Sequence, residues 1–331
     1  MIRFLIVLFC VFSSVATAQV PEKWFTAALA RSDGFAIALS EAQNAKIRLQ
    51  RLKTDPLATK PLLLEASSTL ELADARVVAA RLEVRRSLMQ DVFAWDTALN
   101  ALRLTSARFD FADASAKAAA ARFKTGAITS VEFNRAEAEA RAAQTEVLSA
   151  QAELLAATQV LKDRLGFTPD AKISSDPTPR PARQILERNL ESNVRVLEAK
   201  SILARAKLDF EIKDNEFSAL VEINEARRAV LNAERNLADL RYAIKSALTT
   251  RWEVFQSAVA ALTARERAVG LANAELKTQM QRLEQGLVSK LVVLQARVSL
   301  VQQQVSLEQS QQRFALAVIE LAVLVNLDVW Q

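Results

Sequence analysis

The sequence predicts an all-α fold of long antiparallel helical hairpins in two repeats, packed as coiled coils. Three observations predict it. The 331 residues are 51% hydrophobic but only 6% aromatic, with just 5 glycines and 7 prolines. Alanine, leucine, glutamine and arginine abound, and these lose little side-chain entropy in a helix. Apolar residues recur every seven positions, at Val293, Leu300, Leu307, Phe314 and Leu321, and again at Val147, Leu154 and Leu161. Finally, Gly126 and Gly286 sit in the same local pattern, 160 positions apart.

The chain opens on a targeting pattern. Met1-Ile2-Arg3 is a short positive start, Phe4 to Val15 is apolar, and Ala16-Thr17-Ala18 is a small-x-small site. Residues 1–18 therefore read as a signal peptide, with the mature chain starting at Gln19. The apolar run is too short to span a bilayer comfortably. Cys10 is the only cysteine and lies in this segment, so the exported part is expected to carry no disulfide.

Composition also bounds the chemistry. There is no histidine, so the commonest general base near neutral pH is absent. With Cys10 removed, the commonest transition-metal ligands are absent too. No glycine-rich phosphate loop or hydrolase elbow appears. The chain reads as a non-enzyme with no cofactor and no metal. Its formal charge of +5 is spread among acidic residues, which reads as solvated helix faces and does not point to nucleic acid.

Prolines cluster in "GFTPDAKISSDPTPRPARQ". That stretch reads as a linker over 169–183, dividing a first helical repeat, 19–168, from a second, 184–331. Within the first, residues from about Glu71 to Lys124 form a run of roughly 80 Å as one helix. The apolar faces are broader than a two-position seam, so each helix is expected to touch more than one neighbour.

The glycines then read as hairpin tips. "RFKTGAITSVEF" and "RLEQGLVSKLVV" share Arg-x-x-x-Gly-aliphatic-aliphatic-Ser/Thr. Glycine tolerates the left-handed conformation that ends a helix. Thr129 followed by Glu132 makes a capping box for the next helix. Ser289 can cap the second, although Val292 stands where the reciprocal Glu would be. Without gaps, residues 122–167 align on 282–327, pairing Arg122 with Arg282, Gln151 with Gln311 and Leu161 with Leu321. The two halves read as an internal repeat.

On these residues the sequence resembles the outer-membrane efflux protein family, the TolC-like channels. "RFKTGAITSVEFNRAEAEARAAQTEVLSAQAELLAATQVLKDRLGF" looks like one copy of the family repeat, and "RLEQGLVSKLVVLQARVSLVQQQVSLEQSQQRFALAVIELAVLVNL" like the second. The resemblance covers most of residues 70–327. It implies an α-barrel-type bundle, a homotrimer, and glycine tips that dock on a periplasmic adaptor (membrane fusion) protein. Arg122, Gly126, Ala127, Ile128 and Thr129, with Arg282, Gly286, Leu287, Val288 and Ser289, would be the docking tips. Glu132 would sit at a constriction, against its plainer reading as a cap. A full-length outer-membrane relative is a further expected partner, and the location is periplasmic, associated with the outer membrane.

The sequence departs from the family where the β-barrel should arise. The intervals 53–70 and 213–224 are too short for two membrane-crossing strands and a turn. Phe217, Ala219, Val221 and Ile223 alternate with Glu216, Ser218, Leu220 and Glu222, which suits a strand remnant or a helix. The reading is a short member without the barrel, working as an export conduit. The alternative is a periplasmic coiled-coil scaffold without channel activity. Trp95 and Trp252 read as packing anchors, and Trp24 and Trp330 as terminal packing. Gln302, Gln303, Gln304, Gln309, Gln311 and Gln312 suit either a wet tunnel or an ordinary polar face.

Overall fold

The computed structural model describes residues 21–169 and 178–330. The signal-peptide reading of 1–18, Cys10 and residues 170–177 of the linker lie outside them. All regular structure among the described residues is helical. The elements are α1 (Glu22–Ala30), α2 (Asp33–Thr54), α3 (Lys60–Lys124), α4 (Ser130–Leu165), α5 (Arg183–Arg188), a 3-10 turn (Leu190–Ser192), α6 (Val194–Lys213), α7 (Leu220–Glu284) and α8 (Lys290–Val325).

Both α3 and α7 are 65 residues long, and both α4 and α8 are 36. Each long helix spans about 98 Å at the standard rise. The first turn of α3 holds a proline, where the missing N–H has no helical partner to lose. Pro61 therefore opens α3 at Lys60, well before the expected Glu71. Neither interval contains a strand: α2 and α3 are separated only by 55–59, α6 and α7 only by 214–219. The alternating residues from Leu220 onward are the first turns of α7.

The helices lie side by side in four columns. α3 packs on α2 and α4 along one side, and on α6 and α8 along the other; α7 packs on α6 and α8. α2 and α4 both run antiparallel to α3, so they stack end to end, as do α6 and α8 against α7. The order is α2/α4, α3, α6/α8, α7. The joints lie at one level. Gly166, at φ 79°, ends α4 beside Arg31, which follows α1. Asn326, at φ 53°, ends α8, and its side-chain amide donates to Ala75 O (2.9 Å) and Ser192 O (3.3 Å). Asn193 Nδ2 donates to Leu324 O at 2.7 Å.

The core sits at this joint. One cluster joins Trp24, Phe25, Leu88, Val92, Trp95, Leu161 and Ile319. A second joins Leu186, Leu248, Phe255, Phe314, Val318 and Leu321. The Trp95 indole donates to Thr158 Oγ1 at 3.0 Å and meets Trp24 edge-on. Trp252 stacks at a tilt on Phe255. Arg85 is buried between the rings of Phe25 and Trp330, with Glu22 at 3.9 Å. Trp24 and Trp330 thus pack both ends of the described chain into one site.

Candidate functional site

The two tips are built by the same backbone device. At the first, the amide of Gly126 donates to Phe123 O (2.9 Å) and that of Ala127 to Arg122 O (2.8 Å). At the second, Gly286 donates to Leu283 O (2.9 Å) and Leu287 to Arg282 O (2.8 Å). This is the paired closure of a helix end by a left-handed residue, with φ 72° at Gly126 and 71° at Gly286. A Cβ at either glycine would meet nothing within 4 Å. Backbone conformation alone therefore selects glycine there. The repeated arginine four places earlier is the residue whose carbonyl accepts the outer bond.

The next helices start differently. Thr129 and Glu132 form the complete capping box. Glu132 N donates to Thr129 Oγ1 (3.3 Å), Thr129 N donates to Glu132 Oε2 (2.8 Å), and the Thr129 hydroxyl reaches the same oxygen. These bonds hold the Glu132 carboxyl below its ordinary value. Ser289 makes no side-chain cap bond, contrary to the sequence expectation. Val292 offers no return bond, and its amide instead closes a turn onto Ser289 O at 3.1 Å.

Side chains at the tips face solvent. Arg122, Gly126, Ala127, Thr129, Arg282, Gly286, Leu287 and Ser289 are exposed, while Ile128 and Val288 are half-buried. Phe123 stacks on Phe133 with centroids 5.2 Å apart; Leu283 and Val293 hold the matching places in the second hairpin. Toward the tips the two hairpins enclose a cleft of about 710 Å³, lined by Leu102, Ala107, Leu276, Met280, Val293 and Leu300 among others.

Farther back, a polar cluster ties α3 to α8. Gln312 Nε2 donates to Asp96 Oδ2 at 2.8 Å. Arg103 reaches Asn100 (3.0 Å), Glu308 (3.2 Å) and Gln304 (3.4 Å). Burial pushes the Asp96 carboxyl up, against the pull of Gln312 and Arg103. Burial also raises Glu308, and Asp96 adds to it. Gln312 and Gln304 are thus committed to the helix seam, and only part of the expected glutamine row remains wet. Sequence reasoning missed this cluster because α3 and α8 bring it together from opposite halves of the chain. Among the described residues no group of acidic, histidine or cysteine side chains could hold a metal ion. No helix among them is long and apolar enough to cross a membrane.

Large exposed apolar side chains follow the column order. Val131, Leu148, Leu155 and Val160 stand out on α4, and Ile37, Leu39 and Ile47 on α2. Leu231, Tyr242, Val254, Leu271 and Met280 stand out on α7. The inner helices α3 and α8 expose such residues only toward their ends, at Leu62, Phe123 and Val292. In the inner α6/α8 column, α6 also exposes Ile202 and Ile212, so the outer columns carry the larger share of this surface and not all of it.

No protein-family model matches the sequence. Over 184 residues the chain is 27% identical to the cobalt-zinc-cadmium resistance protein CzcC of Cupriavidus metallidurans, a match over 54% of this chain and 44% of that protein. The chain thus spans less than half the length of this curated relative. The solved outer membrane protein VceC of Vibrio cholerae matches with a TM-score of 0.62 at 15% identity, over 92% of this chain and 95% of that one. CusC, solved in work on its folding and transmembrane channel formation, matches with a TM-score of 0.64 at 14% identity, over 93% and 92%. Of these two solved neighbours, the first is an outer membrane protein and the second forms a transmembrane channel, and the chain has their helical fold, without strands among its described residues.

Proposed function

We propose that this protein is the helical conduit of a tripartite export system, exported by its signal peptide and closed as a homotrimer. One observation carries the reading: a single layer of four columns with large apolar side chains exposed along both outer columns. Such a layer cannot cover α4 and α7 by itself. Joining α7 of one copy to the α2/α4 column of the next covers both, and repeating the step closes a ring of twelve columns. The CzcC and CusC likenesses support transport as the role. The two halves are a duplication in this reading, with 169–183 as the linker.

The glycine tips emerge at one end of the ring and dock on a periplasmic adaptor. Their open backbone, exposed Arg122 and Arg282, and exposed Leu287 suit a protein surface. Glu132 would add one carboxylate per copy near the tip while serving as a cap. The second half, with Val292, would add none.

Light scattering of the chain from Gln19, without detergent, tests the assembly. A stable trimer is expected. Leu148→Glu with Leu155→Glu should reduce it to monomer. A monomer from the parent chain would instead favour the scaffold reading, which the absence of strands among the described residues otherwise supports. The double variant Gly126→Val, Gly286→Val should abolish adaptor binding with helical content nearly intact; unchanged binding would sink the docking role.

A further inference from the structure

The end of the layer opposite the glycine tips carries a second matched pair of turns. Asp55 and Asn215 stand 160 positions apart, as do Leu57 and Phe217. Leu57 N donates to Asp55 Oδ1 at 2.9 Å, and Phe217 N donates to Asn215 Oδ1 at 2.9 Å. Each turn also closes by a backbone bond to the same residue, from Ala58 (3.1 Å) and from Ser218 (3.3 Å). This side-chain turn fixes the residue two places on at the apex. Leu57 is 85% exposed and Phe217 is 95% exposed, more than any other large apolar side chain described. Leu220 and Val221, opening α7 just behind Phe217, are exposed as well.

Both apices belong to one end. Lys60, opening α3, pairs with Glu211 near the end of α6 at 2.7 Å. We propose that these apices insert shallowly into the headgroup layer of a zwitterionic lipid bilayer, anchoring the end of the conduit that lacks strands. The inference rests on the conduit reading for its number of contacts, since a trimer presents six apices in a ring.

Three features favour a bilayer over a protein. The apices are isolated convex points, whereas a protein partner needs a shaped and continuous face. A bilayer interface accepts separate apolar side chains and gains from each. The charge behind them is mixed. Residues 51–60 carry Arg51, Lys53, Asp55 and Lys60; residues 209–222 carry Asp209, Glu211, Lys213, Asp214, Glu216 and Glu222. Lys213 pairs with Asp209 as Lys60 does with Glu211. That surface has no basic excess to seek anionic lipid, so the attraction is apolar and indifferent to salt. Several weak contacts on one rigid frame act together.

Flotation with phosphatidylcholine vesicles tests this, using the chain from Gln19, since every described helix begins at Glu22 or later. Its oligomeric state is measured on the same sample. The parent chain should float equally at low and high salt. Leu57→Ser with Phe217→Ser should lower the bound fraction about tenfold or more, while Ile202→Ser should leave it unchanged. A polarity-sensitive dye on Phe217→Cys, the sole cysteine in that chain, should shift to the blue when vesicles are added. Failure of the parent chain to float, flotation indifferent to the double variant, or an unmoved dye would each overturn the proposal. A trimer that fails to float overturns only the anchor. A monomer overturns the trimeric conduit, and the dye and the double variant still decide whether the apices enter lipid.

Discussion

α4 and α8 occupy the same place in the two halves and have the same length, yet their surroundings differ sharply. α4 buries only Ala150, Leu161 and Leu165, whereas α8 buries a nearly continuous stretch from Phe314 to Val325. The backbone plan does not explain this; column position does. α4 touches α3 and lies on the outside, while α8 lies between α3 and α7. The sequence follows. Where α4 carries Thr158, Gln159 and Lys162, α8 carries Val318, Ile319 and Ala322, all three fully buried. Helices of equal length and matching place can serve as edge or centre, and three residues per two turns decide which.

The comparison can be broken most severely by exchanging those residues. Ala322→Lys places an unpaired charge in a dry seam and should cost at least about 4 kcal/mol, enough to abolish cooperative melting. Lys162→Ala should change stability by no more than about 0.5 kcal/mol. Equal effects in circular-dichroism melts would show that the two helices share one environment.

The tips should respond alike where they are alike. Gly126→Ala and Gly286→Ala face open space, so each should cost about 1 kcal/mol through φ alone. A clear inequality in chemical denaturation would mean that one tip is held by more than its backbone. They should differ where their caps differ. Thr129→Ala should cost about 1 kcal/mol by removing the capping box, against ~0.3 kcal/mol for Ser289→Ala, which has no side-chain bond to lose.

The smallest effect concerns pH at the seam. Asp96 and Glu308 are raised in the folded state, so the folded chain holds more protons than the unfolded one between the two values. Stability should therefore fall as pH rises through that window, and remain lower above it. Asp96→Asn should flatten this slope and raise neutral-pH stability by about 1 kcal/mol or less. Glu191 works in the other direction. Arg241 and Lys200 hold it down to about 2, so its contribution is present above about 4.5 and is lost as pH falls from there toward 2. Melting at a series of pH values separates the two limbs.

Much of this was legible in local pattern. Gly126 and Gly286 announced the tips because their φ angle is one that few residues accept. Thr129 with Glu132 announced its cap because the two partners lie three residues apart. The start of α3 was not legible, because Pro61 reads equally as a loop residue and as a first-turn residue. Ser289 failed for want of a partner at Val292, a contact whose absence weakens a serine cap without forbidding it. Arg85, Asp96 and Glu308 were invisible for another reason: their partners come from distant segments, and only the column order brings them together.

The unbroken α3 and α7 turn chain length into a ruler. Every seven residues added to such a spine extend it by about 10.5 Å and return nearly the same face to its neighbours. The gain holds only if the flanking helix on each side lengthens by the same amount, because the turns that close each hairpin have no slack to absorb a difference. Lengthening this protein therefore requires several matched insertions at once, whereas a lone one would shear the columns out of register.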